Sequence, residues 1–102
     1  MSTAVTIVPQ TRTKPRTERP KLHRVLLHND DFTPRDFVVT VLAAVFRMGR
    51  ETAYGVMMTA HRKGCCVVAV FTREVAETKA AQANEMGQRE GFPLRFTTEP
   101  ET

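Results

Sequence analysis

The run LHRVLLHNDDFTPRDF, residues 22–37, changes character halfway along. Leu22 to His28 has the β-branched and aliphatic make-up of a short strand, centred on Val25, Leu26 and Leu27. Asn29-Asp30-Asp31 is turn chemistry, because short polar side chains bond their own backbone and compete with a strand ladder. Thr33 then suits a helix cap, Pro34 the first helical position, and Asp36, three after Thr33, the closing member of a capping box. Beyond them Phe37, Val38, Val41, Leu42, Val45 and Phe46 recur at the spacing of one buried helical face, which Gly49 is expected to end.

Outward from that segment the pattern continues. A second helix is expected from about Glu51 to Lys63, burying Ala53, Val56, Met57 and Ala60, weakened by Gly55 and ending in His61, Arg62 and Lys63 before Gly64, a left-handed stop. Cys65 to Phe71 is a continuous apolar run of strand length and reads as a central strand covered on at least one face. Thr72 is placed to cap a third helix from Arg73 to about Glu90, with Gly87 weakening its last turn. Gly91 and Pro93 break that helix, and Leu94 to Thr98 alternates as a final strand. The order β-α-α-β-α-β predicts an α+β fold: one small domain over residues 22–99, three helices packed on a three-stranded antiparallel sheet.

The chain of 102 residues, 41% hydrophobic, is enough for one packed core and too little for two. Its net charge of +4 is concentrated at one end. Residues 1–21 hold five Lys or Arg against one acidic residue, whereas the other 81 hold ten of each. With Pro9, Pro15 and Pro20 and little apolar periodicity, residues 1–21 are expected to be a disordered, flexible basic tail. No apolar stretch has the length that spans a bilayer and no signal-peptide run opens the chain, so a soluble, cytoplasmic protein without membrane association is expected. The only cysteines, Cys65 and Cys66, are adjacent and lack the spaced partners of a zinc site, and they read as core filler in a reducing compartment. There is no Gly-rich phosphate loop and no serine or cysteine beside a plausible base, so nothing indicates catalysis.

The chemistry-bearing residues have ordinary explanations: a turn for Asn29 to Asp31, a favourable helix end for His61. Yet a strand-to-helix turn and the end of a neighbouring helix can meet in one shallow pocket, where they would set acceptors around a cation. Three runs carry a more specific signal. Val25 to Pro34, His61 to Gly64, and Val70 to Lys79 (Val-Phe-Thr-Arg-Glu-Val-Ala-Glu-Thr-Lys), with the closing Pro93-Leu94, resemble the ClpS family of protease adaptors over about residues 22–99.

That resemblance implies an adaptor, not an enzyme, with no cofactor. It would bind proteins bearing a free N-terminal Phe, Tyr, Trp or Leu, the N-degron, and deliver them to the ClpA unfoldase of the ClpAP protease. Asn29, Asp31 and His61, with Asp30 beside them, would hold the α-amino group. An ammonium has three donors and a charge, an internal peptide nitrogen one donor and none, so such acceptors select chain ends. By the same resemblance the first side chain would enter a pocket of Leu27, His28, Thr33, Arg35, Val38, Met57, Ala60 and Leu94. Glu74, Glu77, Thr78 and Lys79 would dock on the N-terminal domain of a ClpA-type AAA+ unfoldase, and the tail would serve substrate handover.

The chain departs from the family pattern at Arg35, usually Met, at Ala60, usually a larger aliphatic, and at His28, often apolar. Arg35 can lay its stem over the pocket mouth and its guanidinium over a bound ring, favouring aromatic first residues. Two rival readings are weaker. A metal-dependent enzyme using His28, Asp30, Asp31 and His61 suffers because consecutive strand residues face opposite sides. A nucleic-acid-binding domain suffers because residues 22–102 carry no net charge and no exposed aromatic platform is evident.

Overall fold

Val25 and Leu27, two apart, are both buried, and the strand that carries them, β1 (Leu22–His28), is the middle of the sheet. The computed structural model describes residues 20–101, so residues 1–19 of the expected tail lie outside the described residues. From β1 the chain passes through α1 (Arg35–Phe46), α2 (Arg50–Lys63), β2 (Cys65–Thr72), α3 (Arg73–Arg89) and β3 (Arg95–Pro100). The β-α-α-β-α-β order, the three helices and the three-stranded antiparallel sheet are as expected, with strand order β2-β1-β3.

One strand assignment is corrected. Cys65–Thr72 is an edge strand, and β1 is central. The register explains why an unbroken apolar run sits at an edge. Val25 opposes Ala69 but Leu26 opposes Val67, so β2 carries one extra residue there, a β-bulge. Below the bulge Cys65 and Val67 are exposed, above it Val70 and Thr72 are. The extra residue switches the exposed phase from odd to even positions and so keeps one face of β2 outward along its length. The cysteines follow suit: Cys65 is exposed, not core filler, and Cys66 is half-buried. Burial pushes the Cys66 thiol above its ordinary range, Cys65 adds to the effect and Lys63 opposes it.

The core joins the inner face of the sheet to the helices: Val25, Leu27 and Phe96 meet Val41, Leu42 and Val45 of α1, Ala53 and Met57 of α2, and Ala76, Ala80 and Ala83 of α3. The alanine stripe of α3 lets that helix lie close to the sheet. Phe46 stacks between Phe71 and Phe96, at centroid distances of 6.4 and 5.6 Å.

Some helix ends differ from expectation. Gly49 does not end α1; Arg47, at φ 59°, does, and Gly49 is instead the extended residue before α2. The Lys79 Nζ donates to the Val45 carbonyl oxygen at 3.0 Å, supplying a cation where the C-terminal carbonyls of α1 lack partners. Thr72 occupies the cap position of α3 without a side-chain hydrogen bond. Gly64, at φ 92°, is the expected left-handed stop, and Gly91, expected to break α3, is also left-handed at φ 77°. Gly87 does more than weaken a turn: a Cβ there would lie 2.8 Å from the Leu94 Cβ, so its bareness is what admits Leu94. No helix among the described residues is long and apolar enough to cross a membrane.

Candidate functional site

Strand β1 and helix α2 finish side by side. Gly64 returns its N–H to the Ala60 carbonyl at 2.8 Å, and its own carbonyl accepts the Asn29 N–H at 2.9 Å. The turn that follows β1 is thereby fastened to the end of α2, next to His61.

Asp30 shapes that turn. Its Oδ1 accepts the N–H of Phe32 at 2.8 Å and of Thr33 at 2.7 Å, and its Oδ2 accepts the Thr33 hydroxyl at 2.9 Å. The expected Thr33–Asp36 capping box is therefore not formed. Thr33 spends its hydroxyl on Asp30, Pro34 takes the cap position, and the Pro34 carbonyl receives Phe37 and Val38 at 3.0 and 3.2 Å. A carboxylate with three ready donors outcompetes a hydroxyl reaching for one. Asp36 remains in the first turn of α1, favourable to the helix dipole.

These elements enclose a cavity of about 280 Å³. Its floor is apolar and buried, made of Leu27, Val38, Met57, Ala60 and Leu94, with Thr33 buried beside them. Its rim is polar and exposed: Asn29, Asp31, Arg35 and His61. Asp30 and His28 are half-buried. The eight residues expected to line a side-chain pocket and the four expected around an amino group thus border one cavity. Phe32 and Pro34 border it too, unanticipated; Phe32 is 80% exposed. An aromatic stranded in a polar turn was the available signal. His28 turns its Nε2 to within 2.6 Å of Thr97 Oγ1 on β3, bracing the strand end.

Arg35 is the first residue of α1 and reaches across the rim, Nη2 lying 3.1 Å from His61 Nε2. Guanidinium has only donors, so this contact is a hydrogen bond only with a neutral imidazole that accepts at Nε2 and keeps its proton on Nδ1. An apolar well with acceptors at its lip suits a short apolar group attached to a cation. Among the described residues no three His, Cys, Asp or Glu side chains converge as metal ligands would.

On α3, Glu74, Thr78 and Lys79 flank a second, shallower depression together with Val75 and Gln82. Glu77 is not part of it; it pairs with Arg73 at 3.2 Å. Val75 is 42% exposed, leaving an apolar spot amid the charges.

The family model for ATP-dependent Clp protease adaptor protein ClpS matches residues 18–97. The chain is 62% identical over 101 residues to ATP-dependent Clp protease adapter protein ClpS 1 of Bradyrhizobium diazoefficiens, covering 99% of both chains. It is 60% identical to ClpS 2 of Mesorhizobium japonicum over 97 residues, 95% of this chain and 96% of that one. Among solved structures, Agrobacterium tumefaciens ClpS2 bound to L-phenylalaninamide superposes with a TM-score of 0.81 at 61% identity, covering 81% of this chain and all of that one. A family model, a fold and a sequence that match over nearly the whole described chain leave one assignment: the chain belongs to the ClpS family of Clp protease adaptors.

Proposed function

We propose that this adaptor binds proteins through a free N-terminal Phe, Tyr, Trp or Leu, with the aromatic residues preferred, and passes them in the cytoplasm to the N-terminal domain of a ClpA-type unfoldase. The observation that carries the reading is the cavity itself, an apolar well whose lip presents Asn29, Asp31 and His61. L-phenylalaninamide, found on the Agrobacterium relative, has the same two parts: an α-amino group and a benzyl side chain. Burying a Leu or Phe side chain contributes about 1.5–3 kcal/mol, and each hydrogen bond to a charged group about the same. Neither alone makes a useful affinity; together they do, and only a chain terminus supplies both.

Asp30 acts less as a ligand group than as the frame that holds Asn29 and Asp31 in place, since its carboxylate already takes three turn donors. The unfoldase surface is assigned to the α3 depression, with Glu74, Thr78 and Lys79 around exposed Val75. Glu77, one turn along the same helix and paired with Arg73, is assigned to the border of this surface and not to the depression itself.

The test is fluorescence anisotropy with peptides that differ only in the first residue, each free or acetylated at the α-amine. Phe, Tyr, Trp and Leu peptides are expected to bind and their acetylated forms not to, because acetylation removes the charge. Equal binding of both forms overturns the reading. Arg35→Met in the same assay measures the aromatic preference. A guanidinium over a ring contributes about 0.5–1 kcal/mol, so the Phe-to-Leu affinity ratio should fall about two- to fivefold.

A further inference from the structure

Resting on that reading, the polar lip of the cavity holds a conflict. His61 has one acceptor nitrogen when neutral, and the Arg35 guanidinium, 3.1 Å away, already uses it. The other ring nitrogen carries the proton and can only donate. An α-ammonium also has only donors. The two cations therefore compete for His61 Nε2, and they repel each other as they do so.

We propose that Arg35 is a specificity-determining latch: its guanidinium must release His61 before the imidazole can accept from a bound α-amino group. Arg35 and His61 are both exposed, so the bond forms and breaks at the surface without disturbing the core. Its position at the start of α1 leaves the long side chain free to leave the imidazole while the backbone stays fixed. Once displaced, the guanidinium has a new surface only when the incoming side chain is a ring. A Leu-initiated protein breaks the latch without recompense; a Phe-initiated one offers its π-face in exchange. The latch thus lowers the affinity for every ligand and lowers it least for aromatic ones.

A double-mutant cycle with a Leu-initiated, free-amine peptide separates this from a plain lid, because Leu gives the guanidinium no ring. Arg35→Ala is expected to tighten binding of that peptide by about two- to tenfold, the range for one net hydrogen bond. In a His61→Ala background the same substitution should leave affinity unchanged. An equal change in both backgrounds, or none in either, overturns the latch while leaving the adaptor reading intact. Failure of the native protein to bind any free-amine peptide overturns both. A ligand-free readout closes the cycle: ¹H–¹⁵N correlation spectra of the imidazole at high pH should show His61 as the Nδ1–H tautomer in the native chain and a mixture in Arg35→Ala. Identical tautomer populations in the two proteins contradict the latch.

Discussion

Adjacent aspartates in the first turn do different work. Asp30 is half-buried with both oxygens engaged, whereas Asp31 is exposed at the lip of the cavity. Asp30→Ala strips the N–H groups of Phe32 and Thr33 and the Thr33 hydroxyl of their acceptor, and should destabilise the domain by about 1–3 kcal/mol. Asp31→Ala should move stability by no more than about 0.5 kcal/mol, the usual size for an exposed site, yet weaken binding of a Phe-initiated peptide about tenfold or more. Urea denaturation and peptide anisotropy on the two variants check the contrast. If Asp31→Ala unfolds the domain, or binds as the native protein does, the division between frame and ligand group is wrong. The sequence showed the cluster but could not divide its labour, because which carboxylate folds back on the turn is decided by backbone angles that three consecutive polar residues leave open.

At the scale of elements, β3 is an edge strand that a helix side chain secures. The Asn84 amide on α3 donates to the Phe96 carbonyl at 3.0 Å and accepts the Phe96 N–H at 2.7 Å, doing what a neighbouring strand would do. The ladder to β1 places Leu27 opposite Phe96. Leu94, on the cavity floor, directly precedes this strand and packs on Gly87 of the same helix, so α3 positions one wall of the site through two contacts. Asn84→Ala should leave the Phe96 amide without its acceptor, cost about 1–2 kcal/mol, and raise hydrogen exchange at Phe96 while the α1 amides stay protected. Uniform loss of protection would mean that Asn84 supports the whole fold and not this edge. Strand and helix identities were legible because alternation, helical spacing and the stops at Gly64 and Gly91 are local signals. Strand order was not, since the apolar run Cys65–Phe71 imitates a central strand and the bulge that keeps its outer face outward is fixed only by pairing with β1. The Arg35–His61 bond spans 26 residues and had no sequence signature at all.

In the whole molecule, under the proposed function, binding and docking fall to the folded part of the chain and handover to the segment before it. Every residue bordering the cavity lies between Leu27 and Leu94, and the α3 depression between Glu74 and Gln82. The excess positive charge lies before Leu22. The strand that starts there is held at both sides: Leu22 opposes Thr72 of β2, and its carbonyl accepts the Glu101 N–H at 2.8 Å. The folded part therefore has what it needs from residue 21 onward. Deleting residues 1–20 should leave the unfolding midpoint and the affinity for a Phe-initiated peptide unchanged. The α3 surface, being intact, should still bind the N-terminal domain of the unfoldase. What should suffer is unfoldase-dependent degradation of a Phe-initiated substrate, measured as the steady-state rate at saturating adaptor, if the basic, proline-punctuated sequence before Leu22 has the handover role that the family resemblance implies. The separation has a sharp signature, since a binding defect is overcome by raising adaptor concentration and a delivery defect is not. A truncated protein whose degradation rate recovers at high concentration has lost affinity, and one that degrades substrate at the native rate at all concentrations shows that the basic segment has no part in delivery.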